Sequence, residues 1–253
     1  MNEEMNRHAL KRIIPLVLLM ATIVVAMSFS ARPLARLNII FSNYVGDSIL
    51  KPDAGIYKND LGQTFTITNF KYYIGHIHLQ KADGGSIDFS DYYLIDEDDE
   101  HSKQLSLPNI PNGIYTGLTF IIGVDSADNC SGAQSGALDP VHAMFWAWNT
   151  GYIFLKLEGK APASQSPGHI FEYHIGGYRQ PYNCIRHVAL QLGKPLVIDN
   201  TDEEIHIKTD VAEILKSPTT IDFAALSSVT DFHHAVTIAD NYTDMFSILA
   251  AGR

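Results

Sequence analysis

The chain has 253 residues, 46% of them apolar and 18% charged, and its 28 acidic and 18 basic side chains give a net charge of −10. This composition is that of a globular protein and excludes wholesale disorder. The acidic balance argues against a nucleic-acid partner, and a count of two cysteines excludes a disulfide-rich scaffold and an all-cysteine zinc site.

Residues 1–34 have the pattern of a targeting segment. Basic side chains between Arg7 and Arg12 precede an uncharged apolar run over residues 13–27. This run is shorter than the roughly 20 residues that cross a bilayer, which favours a secretory signal, with an uncleaved anchor as the alternative. Both interpretations place residues 35–253 in the periplasm or outside the cell, and a membrane is touched only through the N-terminal segment if it is uncleaved.

Strand-like segments dominate residues 35–253. Short runs of alternating, β-branched and aromatic residues are separated by turns that contain Gly, Pro or Asn. The predicted strands cover residues 37–41, 64–68, 72–79, 91–96, 114–124, 152–157, 169–175, 187–192 and 204–209. This pattern predicts a single all-β domain, an antiparallel β-sandwich with short helical turns.

Helical segments are predicted at three places. Residues 141–148 follow Asp139-Pro140, a pair that is typical of a helix start. Residues 211–215 follow Asp210, which can cap a helix N-terminus. A turn or helix is also expected over residues 241–250.

The two cysteines, Cys130 and Cys184, lie in a loop and beside a strand. Two cysteines in an exported protein usually pair, so we predict a disulfide between them. On the chain-entropy model this bond would stabilise the fold by roughly 3–4 kcal/mol. A thiolate metal ligand and two free thiols are the alternatives.

Histidines are numerous, with 11 in the chain. His76 and His78 alternate with Ile77 and are therefore expected on one strand face, either as part of a metal site or solvated. The sequence has no His-Glu-x-x-His helix, no nucleophile elbow and no phosphate-binding loop. We therefore predict that the protein is not an enzyme, although a hydrolase that uses paired carboxylates is a minor alternative.

Both tryptophans stand in the segment 138–152, LDPVHAMFWAWNTGY. Trp146, Trp148 and the neighbouring aromatic residues supply a large apolar surface. They form either a corner of the core or a redox-active or ligand-contacting cluster. The nearby methionine and His142 would suit a soft metal such as copper(I).

The residues in and around this segment resemble a known family. Residues 136–159 are similar to the signature of the MbnP-like proteins, and the segment FEYHIGG at 171–177 is similar to that family's histidine-containing strand. Residues 69–79 resemble its N-terminal strand pair. The resemblance spans about residues 38–250 and implies an exported β-sandwich.

Some members of this family bind copper through histidines near a tryptophan that is oxidised to kynurenine, and are encoded beside a di-haem peroxidase-like partner. The resemblance therefore implies a protein that binds or handles copper, with His174 as the best-matched ligand and Trp146 or Trp148 as the oxidisable residue. The further candidate ligands, suggested by local chemistry, are His142, His76 and His78. The alternative is an extracytoplasmic binding or structural module without metal.

Overall fold

A computed structural model describes residues 34–146, 151–229 and 231–252. The longer strands are β1 (Ala35–Val45), β4 (Thr64–Lys81), β5 (Ser86–Asp96), β6 (Gln104–Ile110), β7 (Gly113–Ile122), β10 (Leu155–Lys160), β11 (Ile170–Ile175), β12 (Arg186–Ile198), β13 (Glu203–Asp210) and β15 (Phe246–Ala251). The two-residue strands are β2 (Ser48–Ile49), β3 (Tyr57–Lys58), β8 (Phe145–Trp146), β9 (Gly151–Tyr152) and β14 (Ser228–Val229). The predicted all-β class is confirmed. The targeting segment and Trp148 lie outside the described residues.

The helices are short, as expected. Of the three predicted helical segments, the one at residues 211–215 is confirmed and the other two are wrong. The described helices are α1 (Ser126–Cys130), α2 (Val211–Ile214) and α3 (Phe232–Tyr242). Helix α2 is confirmed, and the Asp210 carboxylate caps it by accepting from the Ala212 N–H at 3.0 Å. None of these helices is long and apolar enough to cross a membrane.

Over residues 141–146, the described part of the segment 141–148, the expected helix does not form. Pro140–His142 make one 3-10 turn, which ends at Ala143 in the left-handed conformation (φ 56°). The chain then continues into β8, which pairs with β9. At residues 241–250, helix α3 ends at Tyr242 and the chain continues into β15, which pairs with β13. In both cases pairing with another strand outweighs the local helical preference.

The strands form two main sheets. The five-stranded sheet has the order β15-β13-β1-β2, with β6 also paired to β1. The eight-stranded sheet has the order β12-β7-β4-β10-β11-β14, with β3 and β5 also paired to β4. Most neighbours are antiparallel, as expected, but β1 pairs with β13 and β11 pairs with β14 in parallel.

The inner faces of the two sheets enclose an aromatic core. Phe41 of the five-stranded sheet contacts Tyr72 and Phe120 of the other sheet edge-to-face, with ring centroids 6.3 Å apart in each pair. Phe246 completes the cluster at 5.0 Å from Phe120. The buried Tyr72 hydroxyl lies 2.9 Å from the Thr209 hydroxyl, and burial raises the pKa of Tyr72 well above its usual value. The hydroxyl therefore stays neutral and links the two sheets.

Strand β4 changes its alternation of inner and outer residues halfway along its length. Tyr72 and Ile74 are fully buried on its inner face, and so are Ile77 and, nearly so, Leu79. The change of parity after Ile74 is made by a β-bulge at His76, whose backbone is left-handed (φ 50°). The bulge keeps the apolar residues of both halves of β4 in the core.

We predict that Phe41→Ala lowers the free energy of unfolding by about 3–5 kcal/mol, because it removes the ring at the centre of the aromatic cluster and leaves a cavity. Chemical denaturation measures the change. Ile56→Ala is the control, since Ile56 is 77% exposed and its truncation should change stability by no more than about 0.5 kcal/mol. Equal effects of the two substitutions would contradict the assigned core.

Candidate functional site

The outer face of the eight-stranded sheet carries polar side chains where β4, β10 and β11 run side by side. The strand register places two cross-strand rows there, Lys71–Lys156–His174 and Asn69–Glu158–Glu172. Side chains in one row, and those two residues apart on one strand, are neighbours on the same face. This arrangement brings His174, the best-matched ligand, into a charged environment.

His174 is paired with a carboxylate. Its Nε2 atom lies 2.6 Å from Glu158 Oε1, and Glu158 Oε2 accepts from the Asn69 Nδ2 amide at 3.2 Å. The hydrogen bond from His174 is the largest cause that holds the pKa of Glu158 below its usual value. The side chains of His174 and Glu158 are 19% and 23% exposed, so the pair is reachable from solvent.

Lys156 ties a surface turn to this face of the sheet. Its side chain is buried, and Nζ donates to the Ala143 carbonyl at 2.6 Å. Burial lowers the pKa of Lys156 below its usual value. Ala143 ends the 3-10 turn Pro140–His142, which begins with the Asp139 carboxylate accepting from the Val141 N–H. Lys156 therefore positions the segment that leads into Trp146.

Trp146 lies at the end of β11, the strand that carries His174. Its six-membered ring fills the space beside Gly176, where an added Cβ would stand 2.7 Å from a ring carbon and 2.5 Å from the Tyr152 carbonyl oxygen. Gly176 follows the end of β11 directly and stands two residues after His174, so the indole lies at the end of the strand that carries His174. A side chain at 176 would displace the indole, and only glycine allows this close approach.

The aromatic block around Trp146 is also part of the core. Trp146 is only 7% exposed, and Tyr152 is almost completely buried. The Tyr152 ring packs edge-to-face on Phe145 and Tyr73, with centroids 5.0 Å and 6.0 Å away. Its hydroxyl donates to the Leu138 carbonyl at 2.9 Å. The block is therefore a corner of the core. A role as a ligand-contacting cluster is compatible with this, because Lys156 of the polar rows bonds to the turn before Trp146.

His76 and His78 lie elsewhere, on the half of β4 that pairs with β7. They line one shallow groove of about 400 Å³ together with His187 of β12. His76 Nε2 lies 3.1 Å from Asp125 Oδ2, and His78 Nδ1 lies 2.8 Å from Asp88 Oδ1. His76 and His78 line the same groove, as expected for two residues that alternate with the buried Ile77.

His142 occupies a third position, on the turn that Lys156 holds. Its Nε2 atom lies 3.1 Å from the Gly136 carbonyl oxygen. The four candidate histidines therefore stand at three places. Among residues 34–146, 151–229 and 231–252, no group of three or more His, Cys, Asp or Glu side chains is arranged to hold a metal ion.

Three residues of this site were not predicted, namely Glu158, Asn69 and Lys156. Each is a common polar residue on a strand, and its role depends on which strands pair and in which register. The sequence signal that points to them is only their alternation with buried neighbours, which places them on an outer face.

Both cysteines lie close to residues 177–179. The Cys130 thiol is exposed, 3.6 Å from the Tyr178 hydroxyl and 3.8 Å from Arg179 Nη2, and these contacts lower its pKa. Cys184 is buried beneath Gly177, and burial raises its pKa to about 12. Both are free thiols in the structure, so their pairing stays a prediction.

Comparisons with family models and with solved structures both give MbnP. The MbnP family model matches residues 35–233. Among solved structures, MbnP from Methylosinus trichosporium has a TM-score of 0.55 and 14% sequence identity, over 86% of this chain and 98% of that chain. At this identity the likeness is one of fold. No curated protein sequence matches the chain significantly.

We predict that the protein purified from an oxidising compartment has an intact mass about two hydrogens below that of the reduced chain, because Cys130 and Cys184 pair there. Mass spectrometry before and after reduction measures the difference. Cys130→Ser should abolish it. An unchanged mass with two alkylatable thiols would contradict the disulfide.

We predict that Lys156→Met destabilises the protein by about 1–3 kcal/mol, because the Ala143 carbonyl loses its donor. Loosening of the turn should also increase quenching of tryptophan fluorescence by acrylamide. Lys194→Met, at an exposed position of β12, is the matched control and should leave both readouts unchanged. Identical behaviour of the two variants would show that Lys156 does not hold the turn.

Proposed function

The chain belongs to the MbnP family, and from this premise we propose that it is an exported protein that binds or handles copper. The family supports a copper-related function. We place the principal copper ligand at His174, on the outer face of the eight-stranded sheet, with Trp146 at the end of the same strand. The protein itself is proposed to be non-catalytic.

The observation that carries this proposal is the pairing of His174 with Glu158. Imidazole is a good ligand for copper. Histidines that bind metals commonly donate their other ring N–H to a carboxylate, which orients the ring and raises its basicity. The 2.6 Å contact between Nε2 and Oε1 is of this kind. The chemistry of this donor group therefore fits copper.

His142 is the second candidate ligand, because one described contact links its separate place to that of His174. It precedes Ala143, whose carbonyl accepts from Lys156, and Lys156 is the cross-strand neighbour of His174. His76 and His78 lie in a separate groove lined by residues of β4, β7 and β12 and are less suited to join this site. Copper bound here would supply a redox-active ion, and the protein would supply the ligands and a largely buried indole at the end of β11.

Trp146 is the residue that we propose to be oxidised, with Trp148 as the alternative. Its support is the position of Trp146 next to Gly176, two residues after His174. A di-haem peroxidase-like partner would be the oxidant that withdraws electrons from the indole. The net charge of −10 would speed encounter with a basic partner surface through electrostatic steering.

The second candidate function is a binding module without metal. The specific observation that favours it is the distribution of the four candidate histidines over three places. The groove lined by His76, His78 and His187 would then be the place for a ligand.

We predict that the purified protein binds one tight copper(I) equivalent, that His174→Ala abolishes this binding and that His142→Ala weakens it. Titration against a competing chromogenic chelator measures the affinity. His187→Ala is the control, because its ring is on β12 and away from the polar rows, and it should bind as the wild type does. Absence of copper uptake, or equal uptake by His174→Ala, would favour the module without metal.

A further inference from the structure

Glu158 lies at the centre of a chain of hydrogen bonds on the outer face. One carboxylate oxygen is 2.6 Å from His174 Nε2, and the other accepts from Asn69 Nδ2 at 3.2 Å. An ionised carboxylate can only accept hydrogen bonds, so the proton shared with His174 belongs to the imidazole. The neutral ring therefore carries hydrogen on Nε2 and an unshared electron pair on Nδ1.

Asn69 is oriented toward Glu158 in a way that leaves its own oxygen without a partner. Among the side chains of the described residues, Asn69 Oδ1 is the buried polar atom that has no hydrogen bond. Turning the amide over would place this oxygen against the carboxylate of Glu158, which would be repulsive. Buried polar atoms are rarely left unpaired, so the orientation of Asn69 is set by its bond to Glu158.

We propose that Glu158, held by Asn69, is a positioning residue that fixes His174 in its Nε2–H tautomer and presents Nδ1 as the copper-binding atom. This inference rests on the proposed function for its copper part. The fixed tautomer itself is a property of the protein without metal. Glu158 acts through His174 and does not touch the metal.

The same sheet contains an internal reference with the opposite geometry. His78 approaches Asp88 through Nδ1 rather than Nε2, at 2.8 Å, and the two side chains are 46% and 63% exposed. That pair favours hydrogen on Nδ1. The two histidines are therefore expected to give opposite patterns of ring-nitrogen signals in one spectrum.

The test is the pair of ring ¹⁵N shifts of His174 in copper-free protein at pH 8, where an ordinary imidazole is neutral. The wild type should show a protonated Nε2 and an unprotonated Nδ1, without averaging. In Glu158→Ala the two shifts should move toward each other as the tautomers mix. Glu158→Gln keeps an acceptor oxygen and should restore the wild-type pattern in part.

Copper affinity is the second readout. Loss of a partner that orients a ligand typically lowers metal affinity about 10- to 100-fold, and this is the loss expected for Glu158→Ala. Glu172→Ala is the matched control, because Glu172 stands directly opposite Glu158 on β11 and its removal changes the charge equally. It should leave the His174 shifts and the affinity unchanged.

Two results would overturn the proposal. One is hydrogen on Nδ1, or a mixed tautomer, in the wild type. The other is that Glu158→Ala matches Glu172→Ala in both readouts. If the wild type binds no copper, the proposed function fails, and the ring ¹⁵N shifts alone decide whether Glu158 positions His174.

Discussion

The alternation of side chains across β4, β10 and β11 is the constraint on which the rest of the structure depends. On one face these strands bury aromatic residues such as Tyr72 against the five-stranded sheet. On the other face the same strands carry the two polar rows that contain His174 and Glu158. A shift of register by one residue would exchange the faces, so the core that stabilises the fold also fixes which side chains meet outside.

Two local contacts convert this outer face into a site. Lys156 holds the carbonyl of Ala143, and Gly176 leaves room for the ring of Trp146. Together they hold an aromatic segment at the end of the strand that carries His174. The proposed copper chemistry requires both His174 as a ligand and Trp146 as an oxidisable indole.

The fold class can be predicted from the sequence, because its strands show alternating buried and exposed residues and are separated by turn residues. The exceptions have a tertiary origin. Residues 141–148 and 241–250 have helical signals, but β8 and β15 find partner strands there. The bulge at His76 is also not visible in the sequence, because it depends on the register of β4 against β7, where Gly75 pairs with Ile121 and His78 with Thr119.

Of the candidate site, His174 and Trp146 are predicted from the resemblance to a family. Glu158 and Lys156 could not, because their roles depend on the register of β10 against its two neighbours. Residues far apart in the sequence become partners only when that register is known.

The most direct test of the account is a crystal structure of the copper-loaded protein with anomalous data at the copper edge. The account predicts one strong peak at bonding distance from Nδ1 of His174, on the outer face of the eight-stranded sheet. A peak in the groove lined by His76 and His187, with none at His174, would contradict it.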